Sequence, residues 1–136
     1  MITARYIALS MLFTAQVYNV AIAQPRSEPA SSTAGIEYSS VATALTALRS
    51  KPSVVFSTND SWVIAEERNS RTMWSFTPAN HPANPSVGRR RLMEQGGRYF
   101  VETSILCEAT KAACDKLHED YQMLDRRMNE AIRSGR

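Results

Sequence analysis

Val54-Val-Phe-Ser-Thr-Asn-Asp-Ser-Trp62-Val-Ile-Ala-Glu-Glu-Arg-Asn-Ser-Arg-Thr72-Met-Trp-Ser-Phe-Thr77 is the stretch that decides the fold. Short runs rich in β-branched and aromatic side chains alternate with turn residues, the signature of consecutive short strands. Val54 to Ser57 predicts a first strand, Asn59-Asp60 a turn, Trp62 to Glu66 a second strand, Arg68-Asn69-Ser70 a turn, and Thr72 to Thr77 a third strand. Val54 with Phe56, Trp62 with Ile64, and Trp74 with Phe76 each follow the period of two by which a half-buried sheet presents one face. A proline-rich crossing from Pro78 to Pro85 leads to a fourth strand over Val87 to Glu94. Gln95-Gly96-Gly97 supplies the residues that accept positive φ in a tight hairpin. The fifth strand, Tyr99 to Leu106, carries Tyr99, Val101, Thr103 and Ile105 on one side.

Outside this block the period changes to that of a helix. Ser39-Ser40 offers an N-cap for a short segment with Val41, Leu45 and Leu48 on one face, and Lys51-Pro52 stops it. From Ala112 to Arg133, Cys114, Leu117, Tyr121, Leu124, Met128 and Ala131 recur at alternating steps of three and four and make one apolar stripe. Asp115 and Glu119 lie near the start of this helix and Arg126, Arg127 and Arg133 toward its end, as the helix dipole prefers. These patterns predict an α+β fold of order α-β-β-β-β-β-α. The expected form is a two-layer sandwich: a five-stranded antiparallel meander with both helices packed on one face.

Toward the N-terminus, Arg5, an apolar run from Tyr6 to Val17 and Ala21-Ile22-Ala23 before Gln24 have the order of a secretory signal peptide. Gln16 and Asn19 interrupt the run below the roughly 20 apolar residues of a bilayer span, so cleavage rather than stable membrane insertion is expected. Residues 24 to 35, with two prolines and no large apolar side chain, predict a flexible linker before a single domain over 36 to 136. Losing residues 1 to 23 removes Arg5 alone among charged residues and takes the net charge from +3 to about +2. Interspersed charge of both signs gives no basic stripe for tracking phosphates, which argues against a nucleic-acid partner. The expected location is periplasmic or secreted, as a monomer or weak dimer.

Export governs the reading of the two cysteines, Cys107 and Cys114, which in that setting predict a disulfide. On one continuous helix residues seven apart sit roughly 10 Å from each other, beyond the roughly 7 Å limit for bridging. The bridge therefore requires Cys107 to end a strand and Cys114 to lie in the first turns of a helix; the alternative is a pair of buried, reduced thiols.

No His-Glu-x-x-His, Gly-x-Ser-x-Gly, phosphate loop or dinucleotide glycine pattern occurs, so no catalytic residue, metal site or cofactor is assigned. His118 sits beside Glu119 and Asp120 as a solvated helix residue. His81 lies in Pro78-Ala-Asn-His-Pro82-Ala-Asn-Pro85, where three prolines restrict the loop and reduce the ordering entropy that binding must overcome. In Arg89-Arg90-Arg91 the outer two side chains share a face and Arg90 takes the other, which suggests an edge strand or recognition of carboxylates or phosphates on a partner by Arg89 and Arg91. Asn80, His81, Asn84, Arg89 and Arg91 are accordingly the candidate partner-binding residues. Trp62, Trp74, Phe76 and Tyr99 are read as core.

Trp62-Val-Ile-Ala-Glu-Glu, Met73-Trp-Ser-Phe-Thr-Pro78, His81-Pro82, and Leu106-Cys107 to Cys114-Asp-Lys-Leu117 resemble a group of small exported proteins of Gram-negative bacteria. The resemblance implies a periplasmic location and carries over no catalytic residue. The function expected is a non-enzymatic binding protein that contacts another envelope protein through the proline-rich loop and arginine strand. An inhibitor or immunity protein blocking a cell-wall hydrolase or toxin is the alternative, and a small hydrolase or isomerase a further one.

Overall fold

The computed structural model describes residues 35–135; the expected signal peptide, and the expected linker up to residue 34, lie outside the described residues. Helix α1 (Val41–Arg49) starts where the Ser40 hydroxyl accepts a hydrogen bond from the Thr43 amide at 3.1 Å, satisfying a donor the helix cannot. Five strands follow, β1 (Val54–Asn59), β2 (Trp62–Glu67), β3 (Thr72–Phe76), β4 (Ser86–Gln95) and β5 (Arg98–Cys107), and helix α2 (Lys111–Ser134) ends the domain. Asp60 and Ser61 turn the first hairpin with φ of 47° and 68°, and Gly96 and Gly97 turn the last with 59° and 74°. Positive φ at both central residues matches the right-handed twist of the strands a two-residue turn must join.

The strands form one antiparallel sheet in the order β1-β2-β3-β4-β5, as the alternation of strand and turn predicts. Register decides which side chains share a side. Ala65 lies opposite Trp74, Trp74 opposite Arg89, and Val87 opposite Leu106. On this side Ala65, Trp74, Phe76, Val87 and Leu106 meet Val41, Ala44 and Leu48 of α1 in the larger buried cluster. The alternate residues face the other way, where Ile105 packs with Leu117 and Tyr121 of α2 and with Trp62. The two helices therefore lie on opposite sides of the sheet, correcting the expected placement on one face. Each run's period of two shows that its side chains alternate, but the phase between runs is set by pairing, and it puts Trp62 and Ile64 out of step with Trp74 and Phe76.

A second correction concerns β4. It lies between β3 and β5 and is not an edge strand. The edge on that side of the sheet is β5, and α2 closes part of it. The Asn129 side chain accepts from the Val101 amide at 2.7 Å and donates to the Val101 carbonyl at 3.4 Å, taking the place of a neighbouring strand. Thr103 donates to Asp125 at 2.8 Å, and Tyr121 lies over Gly88, the partner of Ile105. Steps of four on the helix, about 6 Å, thus match steps of two on the strand, about 6.6 Å. The apolar stripe of α2 is buried only in its first half: Leu117 and Tyr121 are buried, whereas Leu124 is 38% exposed, and polar contacts hold the second half.

Cys107 at the end of β5 and Cys114 in the first turn of α2 form a disulfide with Cα atoms 5.8 Å apart. A loop separates the two, as the bonded reading requires. Thr110 caps the helix, its hydroxyl accepting from the Ala113 amide at 3.4 Å.

Gly88 is the position at which added volume costs most, because a Cβ there would lie 2.5 Å from the Tyr121 hydroxyl and 2.6 Å from its ring. Gly88→Ala is expected to lower stability by about 1–3 kcal/mol by forcing α2 away from the sheet, as read by urea unfolding. Replacing both cysteines with serine is expected to cost about 2–3 kcal/mol, the entropy of closing so short a loop; unchanged midpoints under non-reducing conditions would contradict this.

Candidate functional site

Because α2 follows β5, it covers β4 and β5 and leaves β1 and β2 open on the same side, where Val55 is 49% exposed. The step between helix and open sheet is a cleft of about 380 Å³, within the range of small-ligand sites. Trp62, Ile64, Leu117 and Leu124 supply its apolar walls; Ser75, Arg90 and Tyr121 lie among them, with Asp60 and Asp120 also lining the cleft.

His81 closes one end. Its ring stands edge-on to Trp62 with centroids 5.3 Å apart. The loop that carries it is held by its own hydrogen bonds: the His81 amide donates to the Pro78 carbonyl at 3.0 Å, and the Asn84 amide to the His81 carbonyl at 2.9 Å. The Ala83 amide donates to Nδ1 of His81 at 3.0 Å, so a neutral ring carries its proton on Nε2. Asn84 donates to the Thr77 carbonyl at 3.0 Å and to its hydroxyl at 3.2 Å, tying the two ends of the loop together. Asn84 is thus engaged within the loop, while Asn80 is exposed.

The three arginines divide as their alternation requires, but the division separates the candidate residues. Arg89 faces α1, is 5% exposed, pairs with Glu37 at 2.6 Å and lies over the Trp74 ring at 5.6 Å. Arg91, on the same side, pairs with Glu102 at 2.6 Å. Neither comes together with His81. The arginine in the cleft with His81 is Arg90, the middle residue, which strand alternation sets apart from the candidate pair. Its guanidinium lies 5.6 Å from the centre of the Tyr121 ring and donates to Ser75 Oγ at 3.3 Å and to Met128 Sδ at 3.7 Å. Among the described residues Nε of Arg90, like that of Arg89 and Arg91, is buried without a hydrogen-bond partner, and unlike theirs the Arg90 guanidinium has no carboxylate within ion-pair distance.

Two aromatic residues read as core stand elsewhere. Trp62 is half-buried and lines the cleft, and Tyr99 is 42% exposed near the end of the last hairpin, with the Arg71 guanidinium 5.9 Å above its ring. Trp74 and Phe76 are buried. His118, expected on the solvated side of α2, is half-buried and lines a smaller recess with Thr103 and Asp125. Among the described residues no group of three or more His, Cys, Asp or Glu side chains is placed to hold a metal ion, and no helix is long and apolar enough to cross a membrane.

Burial pushes the Tyr121 hydroxyl above its ordinary pKa; the Arg90 charge and a hydrogen bond with Ser75 oppose this, and Asp125 adds to it. A phenol whose folded pKa is raised gives stability that is fully present below the unfolded value of about 10 and is lost as pH rises through the folded one. Wild-type protein is therefore expected to lose more stability than Tyr121→Phe between pH 8 and pH 10.5, on the order of 1 kcal/mol more, in paired urea titrations. Equal losses would show that the hydroxyl does not titrate against burial.

Comparison with protein-family models, with curated proteins and with solved structures returns no match.

Proposed function

We propose that this protein is a non-enzymatic, exported binding protein whose partner, another envelope protein, docks through the proline-rich loop and the β4 arginine strand on the side that carries Arg90. The observation that supports this reading is the cleft itself: an aromatic and aliphatic surface with a few convergent polar groups, bordered by a loop already ordered by its own hydrogen bonds. Its concave form suits receiving a segment of the partner better than entering a partner's own cleft. The polar groups are arranged for recognition more than for turnover. Ser75 is engaged by Arg90 and Tyr121, and His81 has its Nδ1 committed to the Ala83 amide. The apolar N-terminal run and small residues before Gln24 support export.

The experiment is a pull-down from periplasmic extract with residues 24–136, comparing His81→Ala with Arg90→Gln on one side of the sheet and Arg91→Ala on the other. Residues at the centre of an interface cost about 2 kcal/mol or more on truncation, roughly 30-fold in affinity. A partner lost with His81→Ala and Arg90→Gln but kept with Arg91→Ala is the expected result; a partner retained equally by all three would overturn the assignment of the docking side.

A further inference from the structure

Arg90 differs from its two neighbours in meeting no carboxylate among the described residues. Arg89 and Arg91 each meet one at 2.6 Å, although both are arranged on the side of the sheet that α1 covers. Arg90 is half-buried in the cleft against a tyrosine face, a hydroxyl and a thioether, none of which neutralises a guanidinium. Holding a cation partly out of water without a counter-charge is unfavourable. The walls beside it, Trp62, Ile64, Leu117 and Leu124, are apolar, and Trp62 and His81 present an aromatic corner.

We infer that the cleft is a recognition site for a single carboxylate carried on an aromatic or branched apolar stem, with Arg90 taking the carboxylate and Trp62, Leu117 and Leu124 the stem. The inference rests on the binding reading above and names the chemistry the site receives. Its selectivity comes from charge on both sides. The guanidinium favours one anionic group in a fork geometry, whereas Asp60 and Asp120 repel ligands with several negative charges. Asp120 is already paired with Lys116, which leaves Asp60, at the first hairpin turn, as the stronger repulsive element. Polyphosphates and nucleic acids are disfavoured by the same arrangement. The carboxylate can be the end of a peptide chain or a free acid, and the two share this chemistry.

The test is NMR titration of residues 24–136 with 3-phenylpropionate and its neutral amide, following the Trp62 indole N–H and the His81 ring. A fragment of this size is expected to bind in the millimolar range, with the acid about tenfold tighter than the amide and with shifts concentrated on the cleft. Asp60→Asn, at a positive-φ position that asparagine adopts readily, is expected to tighten the acid about two- to fivefold by removing rim repulsion. Arg90→Gln is expected to abolish the difference between acid and amide. N-acetyl-phenylalanine forms the second arm: binding comparable to 3-phenylpropionate assigns recognition to the carboxylate and stem alone, and markedly tighter binding identifies a chain end as the source. Equal binding of acid and amide, or shifts confined to the α1 side, would overturn the inference, and the Asp60→Asn comparison decides it even where Arg90→Gln fails to fold. A partner captured through His81 and Arg90 while both acids fail would refute the carboxylate site and leave the docking side standing.

Discussion

The structure depends on the register of α2 along β5. Tyr121 over Gly88, Asp125 at Thr103 and Asn129 at Val101 repeat every four residues on the helix and every two on the strand or its direct partner. The two rises differ by only about a tenth, so three successive contacts stay in step over the length they span. Gly88 makes the approach possible, since any Cβ there would occupy the space of the Tyr121 ring. The disulfide fixes the helix start to the end of the same strand. With one end tethered and the register set, the direction of α2 across the sheet is determined.

That direction makes the cleft. A helix lying over β5 and β4 covers about two strands' width, because strands are spaced about 4.8 Å and a helix with side chains is about 10 Å across. The remaining strands on that side stay open, and side chains at the boundary are half-covered. Trp62, Ile64 and Arg90 are in that position. On the opposite side the shorter α1 suffices, because Trp74, Phe76 and Val87 fill the space beneath it and Tyr38 packs against Trp74 with ring centroids 5.5 Å apart. One side of the sheet is thus closed mainly by apolar packing. The other is closed by α2 and by the loop over residues 78–85, whose Ala83 is buried with Ile105, Leu117 and Tyr121.

Much of this was legible in the chain. The five strands, their order and both helices follow from period, turn residues and caps, because those signals are local. The bridge between Cys107 and Cys114 was legible as one of two readings, the other being reduced thiols; helix geometry stated only the condition for it, a loop between the two, which the structure meets. The side on which each helix packs was not, because it turns on the phase between strands: Asn59 pairs with Trp62 and Ala65 with Trp74, and nothing within either run states this. The same limit hid how the β5 edge is closed, since Asn129 is 28 residues from the backbone it caps. Within the candidate site, His81 was found by its loop, whereas Arg90 and Tyr121 were not. In the sequence Tyr121 is one member of the apolar stripe of α2, and only the packing of the helix on the sheet sets it over Gly88.

The arginine run shows how strand alternation and tertiary pairing together determine chemistry. Three consecutive arginines in a strand must place the middle one alone on its side. Glu37 and Glu102, one from the segment before α1 and the other from β5, neutralise the outer two and make them structural. The middle guanidinium instead meets α2, whose contacts there are the Tyr121 face and the Met128 sulfur. Those groups orient it without cancelling its charge: an aromatic face attracts a cation but supplies no counter-ion. The part of the run that looked most like a binding motif is therefore the part the fold has neutralised, and the residue between them is the one left with charge to offer a ligand.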